Sequence, residues 1–215
     1  MKNNREYRNM APLEVRAEQT ETKVDEMVVE GFATTFNEPY VLYEDSDIIF
    51  REQVAPEAFE KTDMNDVIMQ YNHEGRVFAR ISNNTLEVEP TEKGLFIRAN
   101  LGGTEIGRNL YEEIAGGYTD KMSFGFTVEN DEEVRSESVD GRVDILRTIT
   151  GINKLYDVSA VSIPANDGTS ISVSTRSRID GVIEEVRAER LEAERIKLER
   201  KRAEVRARAL GGKAD

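Results

Sequence analysis

Apolar and polar positions alternate with a period of two along much of the first 175 residues, and this spacing predicts strands. Val28–Phe36 (VVEGFATTF) is β-branched and aromatic, Val67–Tyr71 (VIMQY) is a short apolar run, and Thr85–Glu89 (TLEVE) alternates. A turn at 90–94 leads into Leu95–Ala99 (LFIRA), so 85–99 reads as a hairpin. Met122–Val128 (MSFGFTV) and Val143–Ile149 (VDILRTI) read as strands flanking an acidic loop at 129–141. Leu155–Ile163 (LYDVSAVSI) reads as a further strand, stopped by Pro164, and a short strand at Ile171–Val173 is expected to end the domain.

Two segments break this period. Pro56–Lys61 (PEAFEK) reads as a short helix with proline at a starting position. Thr104–Ala115 (TEIGRNLYEEIA) reads as a longer one: Thr104 caps it, Ile106, Leu110 and Ile114 share a face, and Gly116-Gly117 stops it. Many short strands with few helices imply a mainly β (α+β) domain built as an antiparallel barrel or sandwich.

The pattern changes at both ends. Residues 1–14 are polar and of mixed charge, and read as a flexible arm before a domain at 15–175. Residues 176–215 hold 12 Lys/Arg and 9 Asp/Glu with no proline or aromatic, and between Asp180 and Leu210 use helix-compatible residues. Glu192/Arg195, Glu194/Lys197 and Glu204/Arg208 stand at helix-supporting spacings. The apolar positions keep no clean heptad, so this tail reads as a solvated or partner-binding helix rather than a coiled coil.

Composition narrows the chemistry. The 215 residues carry a net charge of −13, a poor match to nucleic-acid binding, which needs clustered Lys and Arg. There is no cysteine and one histidine, which excludes thiol nucleophiles, disulfides and zinc sites with two or more His ligands. No P-loop, dinucleotide fingerprint or EF-hand spacing is present. No run of 18 apolar residues suggests a membrane span, and the first residues lack the apolar core of a signal peptide. A cytoplasmic protein is the expectation.

Three residues carry candidate chemistry. His73, in QYNHEG, follows the VIMQY strand at a polar turn, where functional side chains are often placed. Ser123, in KMSFGF, lies with Gly125 on the strand face opposite Met122, Phe124 and Phe126. Asp157 shares a strand face with Ser159 and Val161. Taken singly, each has a plain structural reading: a loop histidine, a surface serine beside a bulge glycine, a strand carboxylate. Serine-based acyl transfer would need all three together, as nucleophile, base and orienting carboxylate.

Four segments resemble the prohead (capsid maturation) serine protease family of tailed phages, which is related in fold to herpesvirus assemblin. They are Val54-Ala55-Pro56-Glu57-Ala58-Phe59, Asn72-His73-Glu74, Met122-Ser123-Phe124-Gly125-Phe126, and Asp157-Val158-Ser159-Ala160-Val161-Ser162-Ile163-Pro164-Ala165-Asn166. The resemblance implies a closed or partly open antiparallel β-barrel of the herpesvirus-protease-like type, followed by the helical tail. It places the catalytic histidine at His73, the nucleophile at Ser123 and the third member at Asp157, with Asp120 and Glu74 as alternatives for the acid. Glu57 stands where the family has glycine, and Asp157 where glutamate is commoner.

The implied activity is an endopeptidase that needs no cofactor or metal. It acts inside the assembling procapsid in the host cytoplasm on scaffold, on the scaffold-like arm of the major capsid protein, and on itself. The resemblance allows a homodimer and implies neither a nucleic-acid nor a membrane partner. The charged tail would then be a tether, scaffold or propeptide. The competing readings are a catalytically inactive β-barrel assembly module of the capsid, and an unrelated β-rich binding domain with a helical dimerisation tail.

Overall fold

The computed structural model describes residues 5–12, 27–139, 141–162 and 173–211. By its internal contacts the chain divides into two units, Met1–Thr175 and Arg176–Asp215.

Among the described residues the first unit holds ten strands: β1 (Glu6–Pro12), β2 (Val28–Thr35), β3 (Tyr40–Glu44), β4 (Ile48–Val54), β5 (Ile68–Tyr71), β6 (Glu74–Arg80), β7 (Leu86–Pro90), β8 (Gly94–Asn100), β9 (Lys121–Glu137) and β10 (Val143–Val161). They form two sheets, not one closed barrel. The larger has seven strands in the order β1-β9-β10-β4-β3, with β5 on β10 and β6 on β5; the smaller runs β2-β8-β7. The larger sheet is also mixed, since β10 runs parallel to both β4 and β5. This corrects the expected antiparallel barrel. Its physical source is the length of β10, whose first half pairs with β4 and whose last residues pair with β5.

That length was hidden in the sequence. Val143–Ile149 and Leu155–Ile163 read as two strands, but Val143–Ile149 and Leu155–Val161 belong to one strand of 19 residues, joined across irregular pairings near Gly151; Ile163 lies outside the described residues. The acidic loop expected at 129–141 is mostly strand, because β9 continues to Glu137 opposite β10. Acidic side chains are tolerated there because most of this stretch is exposed. The strand expected at Ile171–Val173 falls mainly outside the described residues, and Val173 itself begins a helix.

Residues 6–12, read from the sequence as part of a flexible arm, form β1 against β9. Their polar side chains hid the strand. Glu6 and Arg8 are buried beside charges of opposite sign.

Between the sheets lies one apolar core. It takes Val29 and Ala33 from β2, Leu95, Ile97 and Ala99 from β8, Met122, Phe124 and Phe126 from β9, and Ile152, Leu155, Val158 and Ala160 from β10. The rings of Phe124 and Phe126 stack at 4.5 Å, and Phe59 packs on Phe124 at 6.4 Å. Burial of each such side chain contributes about 1.5–3 kcal/mol. The hairpin at β7–β8 forms as the turn residues predict. Helix α1 (Glu105–Ala115) is capped by Thr104, whose hydroxyl accepts from Gly107 N–H at 3.1 Å, and sends Leu110 and Ile114 to the core. Pro56–Phe59 forms a 3-10 turn, shorter than the helix expected there.

The described residues of the second unit lie in one helix, which begins three residues earlier. α2 (Val173–Gly211) has 39 residues, roughly 58 Å at 1.5 Å per residue. Leu191, Ile196, Leu198 and Val205 are exposed along it, and Glu192 pairs with Arg195 at 2.8 Å.

Candidate active site

The three candidate residues come from three adjacent strands or turns of the larger sheet. Ser123 lies on β9 and pairs with Ser159 of β10. Asp157 lies on β10, opposite Gly125 of β9 and beside Ile68 of β5. His73 lies in the two-residue turn joining β5 to β6, where Tyr71 pairs with Glu74.

That turn is conformationally demanding. Asn72 and His73 both have positive φ, 50° and 61°, as a tight hairpin turn of the type I′ kind requires. Asparagine and histidine are among the non-glycine residues that tolerate this region best. The turn is held to β10 by the Asn72 N–H, which donates to Ala160 C=O at 3.0 Å. The parallel pairing of β5 with β10 carries the turn past Asp157, and His73 reaches back over the sheet.

A bulge aims the carboxylate. Leu155 pairs with Phe126 and Asp157 with Gly125, so Tyr156 is an extra residue on β10. Leu155 and Asp157 therefore face opposite sides of the sheet despite their spacing of two. Leu155 enters the core; Asp157 shares the face of Ser123.

The result is one hydrogen-bonded chain. Ser123 Oγ lies 2.5 Å from His73 Nε2, and His73 Nδ1 lies 2.5 Å from Asp157 Oδ1. A carboxylate only accepts, so Nδ1 carries the ring proton and Nε2 accepts from the serine hydroxyl. Asp157 is 1 % exposed and Ser123 fully buried.

Two further contributors, Ser159 and Tyr7, were not singled out from the sequence, and Gly125 was read there as a bulge glycine beside the serine. Ser159 donates its hydroxyl to Asp157 Oδ1 at 2.8 Å, and it is itself fully buried. The signal for it was present, since Ser159 stands two residues after Asp157 in a strand and so on the same face. Gly125 is required by close approach: a Cβ there would lie 2.3 Å from Asp157 Oδ2 and 2.9 Å from a ring carbon of Tyr7. Tyr7, on β1, packs against the His73 ring with centroids 4.3 Å apart. No local pattern pointed to it.

The alternative acids lie elsewhere. Asp120 is exposed and pairs with Lys121, and Glu74 is exposed at the start of β6. Among the described residues no group of three or more His, Asp or Glu side chains is placed to hold a metal ion, and no helix is long and apolar enough to cross a membrane.

A second polar cluster lies beneath β1. Arg8 pairs with Glu6 at 2.5 Å and with Glu52, which also receives Arg147 at 2.7 Å and the Tyr40 hydroxyl at 2.5 Å. Arg147 further meets Glu6 at 2.9 Å and Asp131 at 2.5 Å. Burial opposes the charge on Glu52, but Arg8 and Arg147 outweigh it and hold its carboxyl below the usual range. Burial also pushes the Tyr40 phenol well up, assisted by the Glu52 charge.

Searches of curated proteins and of solved structures each gave no match. A family model does match, over residues 11–181, a stretch that includes His73, Ser123 and Asp157. The chain belongs to the caudovirus prohead serine protease family.

Proposed function

We propose that this chain is a serine endopeptidase of phage procapsid maturation, with Ser123 as nucleophile, His73 as general base and Asp157 as the group that orients the imidazole. The observation that carries this reading is the unbroken chain Ser123 Oγ–His73 Nε2 and Nδ1–Asp157 Oδ1, with both links at 2.5 Å. A lone histidine meeting a serine and a buried carboxylate at hydrogen-bond distance, in a chain of this family, favours acyl transfer.

In the acylation step Ser123 Oγ attacks the scissile carbonyl carbon as its proton moves to His73 Nε2. Asp157 stabilises the imidazolium without taking its proton. The imidazolium then protonates the leaving amine, the C–N bond breaks, and an ester to Ser123 remains. Water gives its proton to Nε2, attacks the ester, and releases the carboxylic acid product and free Ser123. Every proton passes through His73, and the cycle consumes only water.

Family membership directs the choice of substrate: scaffold, the scaffold-like arm of the major capsid protein, and the chain itself, cleaved inside the procapsid in the host cell. From Leu191 to Arg208 helix α2 is exposed and charge-mixed, which suits a tether to those partners, or a segment removed by cleavage.

The test is co-expression of wild type and Ser123→Ala with the major capsid protein, followed by intact-mass analysis of both chains. Wild type is expected to trim the capsid protein or itself, with new termini absent from Ser123→Ala. Identical uncleaved masses under conditions where capsids assemble would instead favour an inactive assembly module.

A further inference from the structure

Ser123 has no exposed surface, although a hydroxyl that attacks a peptide carbonyl must come within about 3–3.5 Å of it. Something must therefore move before substrate arrives. Among the described residues, the neighbours of Ser123 are β10, which carries Asp157 and Ser159, the β5–β6 turn, which carries His73, and β1. The first two hold the hydrogen-bonded chain itself and cannot leave without dismantling it. β1 holds none of its members. It pairs with β9 directly at the nucleophile, Asn9 opposite Ser123 and Tyr7 opposite Gly125, and Tyr7 lies on the imidazole.

The position of β1 in the fold makes it removable. It ends the order of the larger sheet, with β9 as its strand partner. Most of it precedes residue 11, where the family match begins. Its buried charges are also balanced within the strand, Glu6 against Arg8 at 2.5 Å. Glu52 and Arg147 on β4 and β10 remain paired at 2.7 Å without it. Undocking thus leaves no uncompensated charge on either surface, which is the costly outcome when one partner of a buried pair is lost.

We propose that β1 is a built-in cover: it occupies the strand edge of β9 beside Ser123 as an extended peptide would, so that docking of β1 and access of a substrate strand exclude one another. This rests on the catalytic reading of Ser123 above. Pairing of an extended peptide with a sheet edge needs only main-chain hydrogen bonds, and here the chain supplies that peptide itself. The reactivity of Ser123 then scales with the fraction of molecules in which β1 is undocked.

The experiment uses the absence of native cysteine. Pro12 and Lys121 are backbone partners in the β1–β9 ladder, where cross-strand Cα atoms lie about 4.5–5.5 Å apart, a separation that a disulfide spans. The full-length double variant Pro12→Cys/Lys121→Cys is oxidised or reduced and treated with a fluorophosphonate probe, with the labelled residue located by mass spectrometry. Oxidation is expected to lower Ser123 labelling about tenfold or more, reversed by reductant, while wild type ignores both treatments.

Arg8→Ala, which loosens β1 from Glu52, is expected to raise labelling about tenfold over wild type. Labelling of Ser123 that is equal in the bridged and reduced forms overturns the cover and leaves the catalytic reading standing. So does failure of the two cysteines to bridge under oxidation. No labelling of Ser123 in wild type, the reduced double variant or Arg8→Ala overturns the catalytic reading itself. Should Arg8→Ala not fold, as judged by circular dichroism, the cysteine pair decides alone, since it lies outside the buried charge cluster.

Discussion

Gly125 and Asp157 sit opposite each other on β9 and β10, and the Asp157 carboxylate fills the space that a side chain at 125 would need. A Cβ at 125 would lie 2.3 Å from Oδ2, closer than any tolerated contact. Gly125→Ala must therefore push the carboxylate, and with it the imidazole, out of line. We expect activity to fall at least about a hundredfold, since a misplacement near 1 Å has that effect. The melting temperature should fall by an amount matching about 1–3 kcal/mol of overpacking. Peptide cleavage and thermal unfolding measured on the same sample check both.

Asp157→Asn keeps the size of the side chain but allows it to donate to Nδ1. The proton then resides on Nε2, where it faces the serine hydroxyl instead of accepting from it. A drop in kcat on the order of 10⁴ is expected, with the fold retained. A variant within about tenfold of wild type would remove Asp157 from the mechanism.

Ser159 contacts the Asp157 carboxylate, so it is expected to act through Asp157 and not on substrate. Its hydroxyl holds Oδ1 at 2.8 Å, and a hydrogen bond to a charged acceptor contributes about 1.5–3 kcal/mol. Ser159→Ala should lower kcat about tenfold with little change in KM, and Ser159→Thr should restore part of it. An equal loss in Thr and Ala variants would point to packing instead.

Glu52 is shared by Arg8, Arg147 and Tyr40 and has no exposed surface. Glu52→Gln leaves two buried guanidinium groups facing a neutral amide. We expect a loss of about 3–5 kcal/mol, read from denaturant unfolding. Hydrogen exchange in β1 should rise at the same time, because Arg8 loses its main anchor.

Acid should destabilise the fold through the same groups. The carboxyl of Glu52 lies below its ordinary 4.5 in the folded state, and the hydrogen bonds from Arg80, then Ser82, lower that of Asp66 to about 2. A carboxyl with a lowered folded pKa contributes stability above its unfolded pKa, and loses it as pH falls through the folded one. Unfolding free energy should thus be level, as far as these groups decide, above about pH 5, and decline as pH falls from about 4.5 toward 2. A pH series of denaturant titrations checks the slope. Glu52→Gln should flatten it.

Much of this was legible in order along the chain. The alternation of Met122, Phe124 and Phe126 against Ser123 and Gly125 dictated which side of β9 enters the core, because side chains in a strand have no other period. Thr104, the apolar face at Leu110 and Ile114, and the two glycines after Ala115 dictated α1 by local hydrogen bonding and helical spacing alone. The lone histidine narrowed the candidate base to one residue.

What local pattern could not carry was decided by the tertiary structure, wherever pairing partners lie far apart. The parallel register of β5 on β10 brings residue 73 to residue 157, and the antiparallel register of β9 brings 123 beside both. The bulge at Tyr156 turns Asp157 away from the core although Leu155, two residues earlier, enters it. The strand β1 is invisible to hydrophobic patterning, since its burial rests on Glu6 and Arg8 finding Glu52 and Arg147 more than forty residues away. Short-range periodicity records which face of an element is apolar. It holds no record of which distant element will supply the opposite charge, and that long-range choice is what covers Ser123.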